Sequence, residues 1–130
     1  MLDKLRKRLR SEKGFTLIEL LVVMIILAIL TAIAIPSYLS FKDRANKSAA
    51  GADVRSIIPS IESYFSDNGT YSGMTVTNLK TNYDQAINLS TYTIGSVLSS
   101  THYCVEAASQ NQTAAKNGPS AQIVIGGTCP

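Results

Sequence analysis

Residues 15–36 read FTLIELLVVMIILAILTAIAIP, and this stretch decides the architecture. From Phe15 to Ile35 there are 21 residues and a single charge, Glu19. At 1.5 Å of rise per residue, about 20 apolar residues cross the ~30 Å hydrocarbon core of a bilayer. The run is rich in Val and Ile, yet in lipid a lone segment satisfies its backbone hydrogen bonds only as a helix. A secretory signal peptide has a shorter apolar core, ~7–15 residues, with a small-residue cleavage site beyond it. Here Ala32-Ile33-Ala34 runs directly into Ile35 and Pro36, so cleavage at that point is not expected. Two residues mark the segment as more than an anchor. Glu19 places an ionisable group inside an apolar span, which costs roughly 2.5–3.5 kcal/mol at the bilayer centre and less near its edge. It therefore calls for a partner or a function, and its own segment offers no basic one. Pro36 closes the run and removes one helical hydrogen bond, so a kink or local melting is expected there.

Charge is distributed to match. Residues 1–14 hold six basic groups (Lys4, Arg6, Lys7, Arg8, Arg10, Lys13) against Asp3 and Glu12, a net +4. Since the 130-residue chain carries +3 in all, residues 15–130 sum to −1. The basic character thus belongs to a short N-terminal block. Ahead of an apolar run such a block stays cytoplasmic and the distal part is exported. Nothing after residue 15 reads as a nucleic-acid-binding basic patch, and no direct sign of nucleic-acid binding is present.

The residues around the junction carry a resemblance. Lys13-Gly14-Phe15-Thr16-Leu17-Ile18-Glu19-Leu20 resembles the processing site of type IV prepilins and pseudopilins: a short basic leader ending in Gly, then Phe-Thr-Leu-Ile-Glu, then a long apolar helix. The likeness is dense from residue 8 to about residue 50 and thin beyond. It implies cleavage between Gly14 and Phe15 by a membrane prepilin peptidase, N-methylation of the new Phe15 amine by the same enzyme, and a helix kink at Pro36. It also implies a homo-oligomeric filament raised from the inner membrane by a pilus assembly machinery. The subunit would be a single-pass inner-membrane protein first, N-terminus cytoplasmic, and part of an extracellular pilus afterwards. Glu19 would set the register between subunits. In a bundle of low dielectric an unpaired carboxylate is costly, so pairing with a neighbour's Phe15 amine selects one axial offset, while the apolar remainder supplies contact area.

Residues 36–66 continue as an amphipathic helix. Ala45, Ala49 and Ala52, then Ile57, Ile58, Ile61, Tyr64 and Phe65, form the expected apolar stripe. Pro59 is expected to kink or briefly break it. Asn68-Gly69 supplies a left-handed stop. The family often has Gly-x-Tyr-Pro at this point; here Gly69-Thr70-Tyr71-Ser72 lacks the proline. Asp67 and Asn68 read as a turn, since the other ligands of a calcium loop are missing. Residues 72–90 read as a loop with a short helix near Tyr83–Leu89. Strands are expected at Tyr92–Ile94, Tyr103–Glu106 and Gln122–Ile125, with His102 as a surface strand residue.

The expected fold is therefore α+β. Residues 1–14 form a leader, 15–35 a transmembrane or filament-core half-helix and 36–66 an amphipathic half. Residues 67–130 form a head of three or four antiparallel strands laid on that helix. Two cysteines, Cys104 and Cys129, suit a disulfide in an oxidising compartment. By the resemblance the bridge closes a C-terminal loop whose residues 105–128 are a candidate contact surface. Residues 67–130 contain 22 Ser, Thr and Asn but only five charges, an uncharged polar surface unlike a DNA-binding one. No nucleophile–base set, paired carboxylates or metal-ligand spacing is found. No enzyme activity, metal or cofactor is expected.

The leading function is a pilin building a type IV pilus for adhesion, twitching motility or DNA uptake. The alternatives are a minor pilin or pseudopilin of a type II secretion or competence filament, or an exported domain that is anchored and never polymerises.

Overall fold

A computed structural model describes residues 14–130. The leader expected at residues 1–14 therefore lies outside the described residues except for Gly14. The elements are α1 (Leu17–Asn68), α2 (Val76–Asn82), β1 (Tyr92–Ile94), β2 (Cys104–Ser109), β3 (Gln112–Asn117) and β4 (Ile123–Ile125). The chain divides into two compact units, one ending at Leu39 and one from Ser40 to Pro130.

In the first unit the side chains from Phe15 to Leu39 are exposed throughout, large apolar ones included. Helix α1 is long and apolar enough at this end to cross a membrane, and none of that window is buried. Of the kink or local melting expected at Pro36, the helix shows no melting and runs through that residue unbroken. A proline inside a helix withholds one donor, that for the Ala32 carbonyl, and leaves the rest of the ladder intact.

The second unit holds the core. Along α1 the buried positions are Ala50, Gly51, Val54, Ile57, Ser60, Ile61 and Tyr64. Ala50, Val54, Ile57, Ile61 and Tyr64 alternate spacings of four and three, the period of one helical face. Ala45 and Ala52, expected on this face, are exposed. The small alanines left the phase ambiguous, and the larger Val54 and Ile57 fix it. No break occurs at Pro59. Its ring is exposed, and only the Arg55 carbonyl loses its donor. The helix stops where expected: Gly69 has φ +68° and donates its N–H to the Phe65 carbonyl at 2.7 Å.

The short helix lies earlier than expected, at Val76–Asn82 and not near Tyr83–Leu89. Thr75 is its N-cap, its hydroxyl accepting from the Asn78 N–H at 3.1 Å. Residues 84–91 form turns instead. Asp84 accepts from Ala86 N–H and Asn88 from Ser90 N–H, side-chain bonds that compete with helix.

The four strands form an antiparallel meander in the order β1-β2-β3-β4. Strand β1 falls where the sequence puts it, whereas β2 runs on to Ser109. β3, QTAAKN, was not foreseen. Its composition is poor in β-branched and aromatic residues, and a two-residue hairpin creates it. Ser109 pairs with Gln112, and Gln110 takes φ +56° between them. His102 precedes β2 and is half-buried, not a strand residue.

One face of the sheet turns to α1. It carries Tyr92, Ile94, Val105, Ala107, Ala114, Lys116, Ile123 and Ile125, cross-strand partners in register. A Cβ added at Gly51 would stand 2.9 Å from the Ile125 Cδ1, so glycine lets the helix and β4 meet closely. Asp43 accepts from the Gln112 amide at 2.7 Å, and Ser56 bonds the Tyr92 hydroxyl at 2.9 Å. Lys116, buried among these, donates to the carbonyls of Pro119 and Ala121 and thereby shapes the loop into β4. At the far end Phe65, Tyr71 and Tyr103 stack in sequence, with centroids 4.5 and 4.8 Å apart.

The C-terminal segment covers part of the opposite face, over Cys104 and Ala115. Cys104 and Cys129 are bonded, with Cα atoms 5.7 Å apart. The Cys129 N–H donates to Glu106 at 3.0 Å, and Ser96 N–H donates to the Pro130 carbonyl oxygen at 3.2 Å. Cys104 and Ala115 are buried beneath this strap. A Cβ on Gly95 would lie 3.0 Å from that of Cys129 and 3.2 Å from that of Cys104. The α+β architecture, with its long helix, small antiparallel sheet and C-terminal disulfide loop, is thus the observed fold.

Candidate functional site: the first turn of the long helix

Phe15 precedes α1 and Thr16 stands at its N-cap position, immediately before Leu17. The Glu19 carboxylate accepts from the Thr16 N–H at 3.0 Å and from the Thr16 hydroxyl at 2.9 Å. In return the Glu19 N–H donates to the Thr16 hydroxyl at 3.3 Å. This is a reciprocal capping box: two N–H groups that the first turn leaves unpaired are satisfied by two side chains of that same turn. Negative charge at this end also favours the helix dipole.

The arrangement explains how a carboxylate is carried at the edge of an apolar span. Phe15, one residue ahead of this cap, is 88% exposed. The residue missed at the sequence level is Thr16. Its signal was present in the Thr16-x-x-Glu19 spacing, which is that of a capping box. Gly14 is exposed and non-helical, so the Gly14–Phe15 bond lies just ahead of the helix. Pro36 lies five turns further along, and Cys104 and Cys129 lie in the other unit. Among the described residues no cluster of His, Cys, Asp and Glu could hold a metal ion.

An apolar, exposed helix that opens on Gly-Phe-Thr-Leu-Ile-Glu, followed by a small disulfide-strapped α+β head, defines a pilin-like class of protein. The family model described as the prokaryotic N-terminal methylation motif matches residues 9–35. This motif and the relatives that follow support a likeness of the N-terminal half to type IV pilins and pseudopilins. It is 42% identical over 61 residues to the type IV major pilin protein PilA of Myxococcus xanthus, covering 47% of this chain and 28% of that protein. It is 44% identical over 64 residues to the type IV wide pilus major component PilA4 of Thermus thermophilus, 49% of each. It is 40% identical over 62 residues to the type II secretion system core protein G of Pseudomonas aeruginosa, covering 48% of this chain and 44% of the relative. The matched stretch spans less than half the length of each of these relatives.

Proposed function

We propose that the protein is a membrane-born structural subunit that polymerises into a type IV pilus. The observation that carries this is the Gly14-Phe15-Thr16…Glu19 junction at the head of a fully exposed apolar helix. Residues 15–35 reside in the inner membrane with the N-terminal block cytoplasmic. A prepilin peptidase cuts after Gly14 and methylates the Phe15 amine. The new cation is born one residue from Thr16 and four from Glu19, about 6 Å of helical rise.

Before assembly, the Thr16 N–H and hydroxyl satisfy Glu19 within its own turn. In a bundle of like helices the apolar side chains exclude water, and a charge–charge contact between Glu19 and a neighbour's Phe15 amine outweighs the neutral cap. That exchange fixes the axial register between copies. The apolar contact area has no such periodicity. The head, closed by the Cys104–Cys129 strap, then forms the outer surface.

Similarity to both PilA-type components and type II secretion core protein G supports a second reading, a pseudopilin of a short secretion filament. Glu19→Gln tests the common mechanism. The variant should insert and be processed normally yet yield no filaments in the sheared surface fraction. Filament yield equal to the unaltered chain would refute the register role. Abundant sheared filaments of the unaltered chain favour the pilus over the secretion reading.

A further inference from the structure

We propose that the start of the second unit carries a membrane-surface anchor, Phe41 with Lys42 and Arg44, that binds anionic phospholipid headgroups on the exported face before assembly. Phe41 is 72% exposed and is not part of the head's apolar core. It lies six residues beyond the last residue of the apolar run, Ile35, where an aromatic side chain suits the headgroup region.

The charges around it are sorted by the fold. At 100° per residue, Arg44 lies about 60° to one side of Phe41 and Lys42 about 100° to the other. Asp43 falls on the opposite side, toward the sheet. There Lys47 pairs with it at 2.9 Å and the Gln112 amide donates to it at 2.7 Å. Lys47–Asp43 is the one ion pair among the described residues. The acid is thus drawn onto the head and neutralised, while both remaining cations stay exposed beside the aromatic ring. An exposed aromatic flanked by free cations, next to a membrane-length apolar run, complements a headgroup layer that is apolar below and anionic above. The anchor would hold the head against the membrane, and its release would be a step of subunit extraction.

The proposal rests on the membrane residence of residues 15–35 given under Proposed function. The chain has no tryptophan, so one introduced reporter is unambiguous. Full-length Phe41→Trp and, separately, Ile26→Trp are reconstituted in vesicles of phosphatidylglycerol with phosphatidylcholine, or of phosphatidylcholine alone. Quenching by lipids brominated near the headgroup or at mid-chain is then read. The expected result for Phe41→Trp is quenching by the shallow probe in anionic vesicles, less in zwitterionic ones, and its loss on adding Lys42→Gln and Arg44→Gln. The Ile26→Trp reporter should be quenched by the deep probe throughout. A water-like, unquenched Phe41→Trp signal beside a quenched Ile26→Trp would overturn the anchor and leave membrane residence standing. Shallow quenching that varies with the protein-to-lipid ratio would assign the patch to a second copy and overturn it also. An unquenched Ile26→Trp would overturn both.

Discussion

Tyr103 is wholly buried, and its hydroxyl has no hydrogen-bond partner among the described residues. Its ring packs on Tyr71, whose own hydroxyl reaches Glu62 at 3.4 and 3.5 Å. Replacing Tyr103 by Phe removes an oxygen that was stripped of water without compensation and leaves the ring contacts in place. An unpaired buried polar group costs about 1–3 kcal/mol, so Tyr103→Phe should stabilise the head by about 1–2 kcal/mol. With a urea slope of about 1–3 kcal/mol/M, the midpoint should rise by about 0.3–2 M. Tyr71→Phe, which gives up a long but real bond to a carboxylate, should lower stability by up to about 1 kcal/mol. The assay is urea unfolding of the full chain in detergent, followed by near-ultraviolet circular dichroism.

A pH arm makes the test sharper. The Tyr103 phenol is pushed up, first by burial, then by the negative charge of Glu62, then by Tyr71. A folded value above the unfolded one means the contribution is complete below about pH 10 and is lost as pH rises from there toward the folded value. The unaltered head should therefore weaken above pH 10, and Tyr103→Phe should remove part of that loss. Tyr71, raised by burial and by Glu62, keeps the remainder. A Tyr103→Phe variant less stable by 1 kcal/mol or more at pH 7 would refute the reasoning, because the hydroxyl must then have a partner.

Other outcomes follow from the same geometry. Opening the bridge with Cys104→Ser and Cys129→Ser releases a loop of sequence separation 25, for which the chain-entropy estimate is about 3.5 kcal/mol; hydrogen exchange should show the segment after β4 fraying first. Thr75→Ala removes the cap of α2 and should cost about 1 kcal/mol by the same urea assay. Gly95→Ala sets a methyl against both bridge Cβ atoms, and a thiol count after refolding should show incomplete closure. Thr16→Val abolishes the hydroxyl half of the Glu19 box, so the unassembled subunit carries a less satisfied carboxylate and should accumulate in membranes to a lower level, read by membrane fractionation.

What the sequence disclosed follows from where strong physical signals lie. The apolar run, the Gly69 stop and β1 were legible because membrane-length hydrophobicity, an Asn-Gly dipeptide and a Tyr-Thr-Ile triplet each have few structural solutions. β3 was not legible. Gln112-Thr113-Ala114-Ala115-Lys116-Asn117 has no strand composition of its own and is a strand because β2 and β4 flank it. The helix phase over 45–52 was missed because alanines carry little burial preference, and the deciding contact, Gly51 against Ile125, spans 74 residues. At the candidate site Phe15 and Glu19 stood out as charge and junction. Thr16 was readable in principle as a capping box, but a carboxylate in an apolar span points first to a distant basic partner and only then to a hydroxyl within its own turn.

The central claim is that this chain is matured at Gly14–Phe15 and then polymerised through its new terminus. N-terminal sequencing with intact mass of the membrane-associated protein tests it most directly. The account predicts a chain that begins at N-methylated Phe15 and is lighter by the two hydrogens of a closed Cys104–Cys129 bridge. A chain still beginning at Met1, in cells with an active prepilin peptidase, would contradict it and leave an anchored domain that does not assemble.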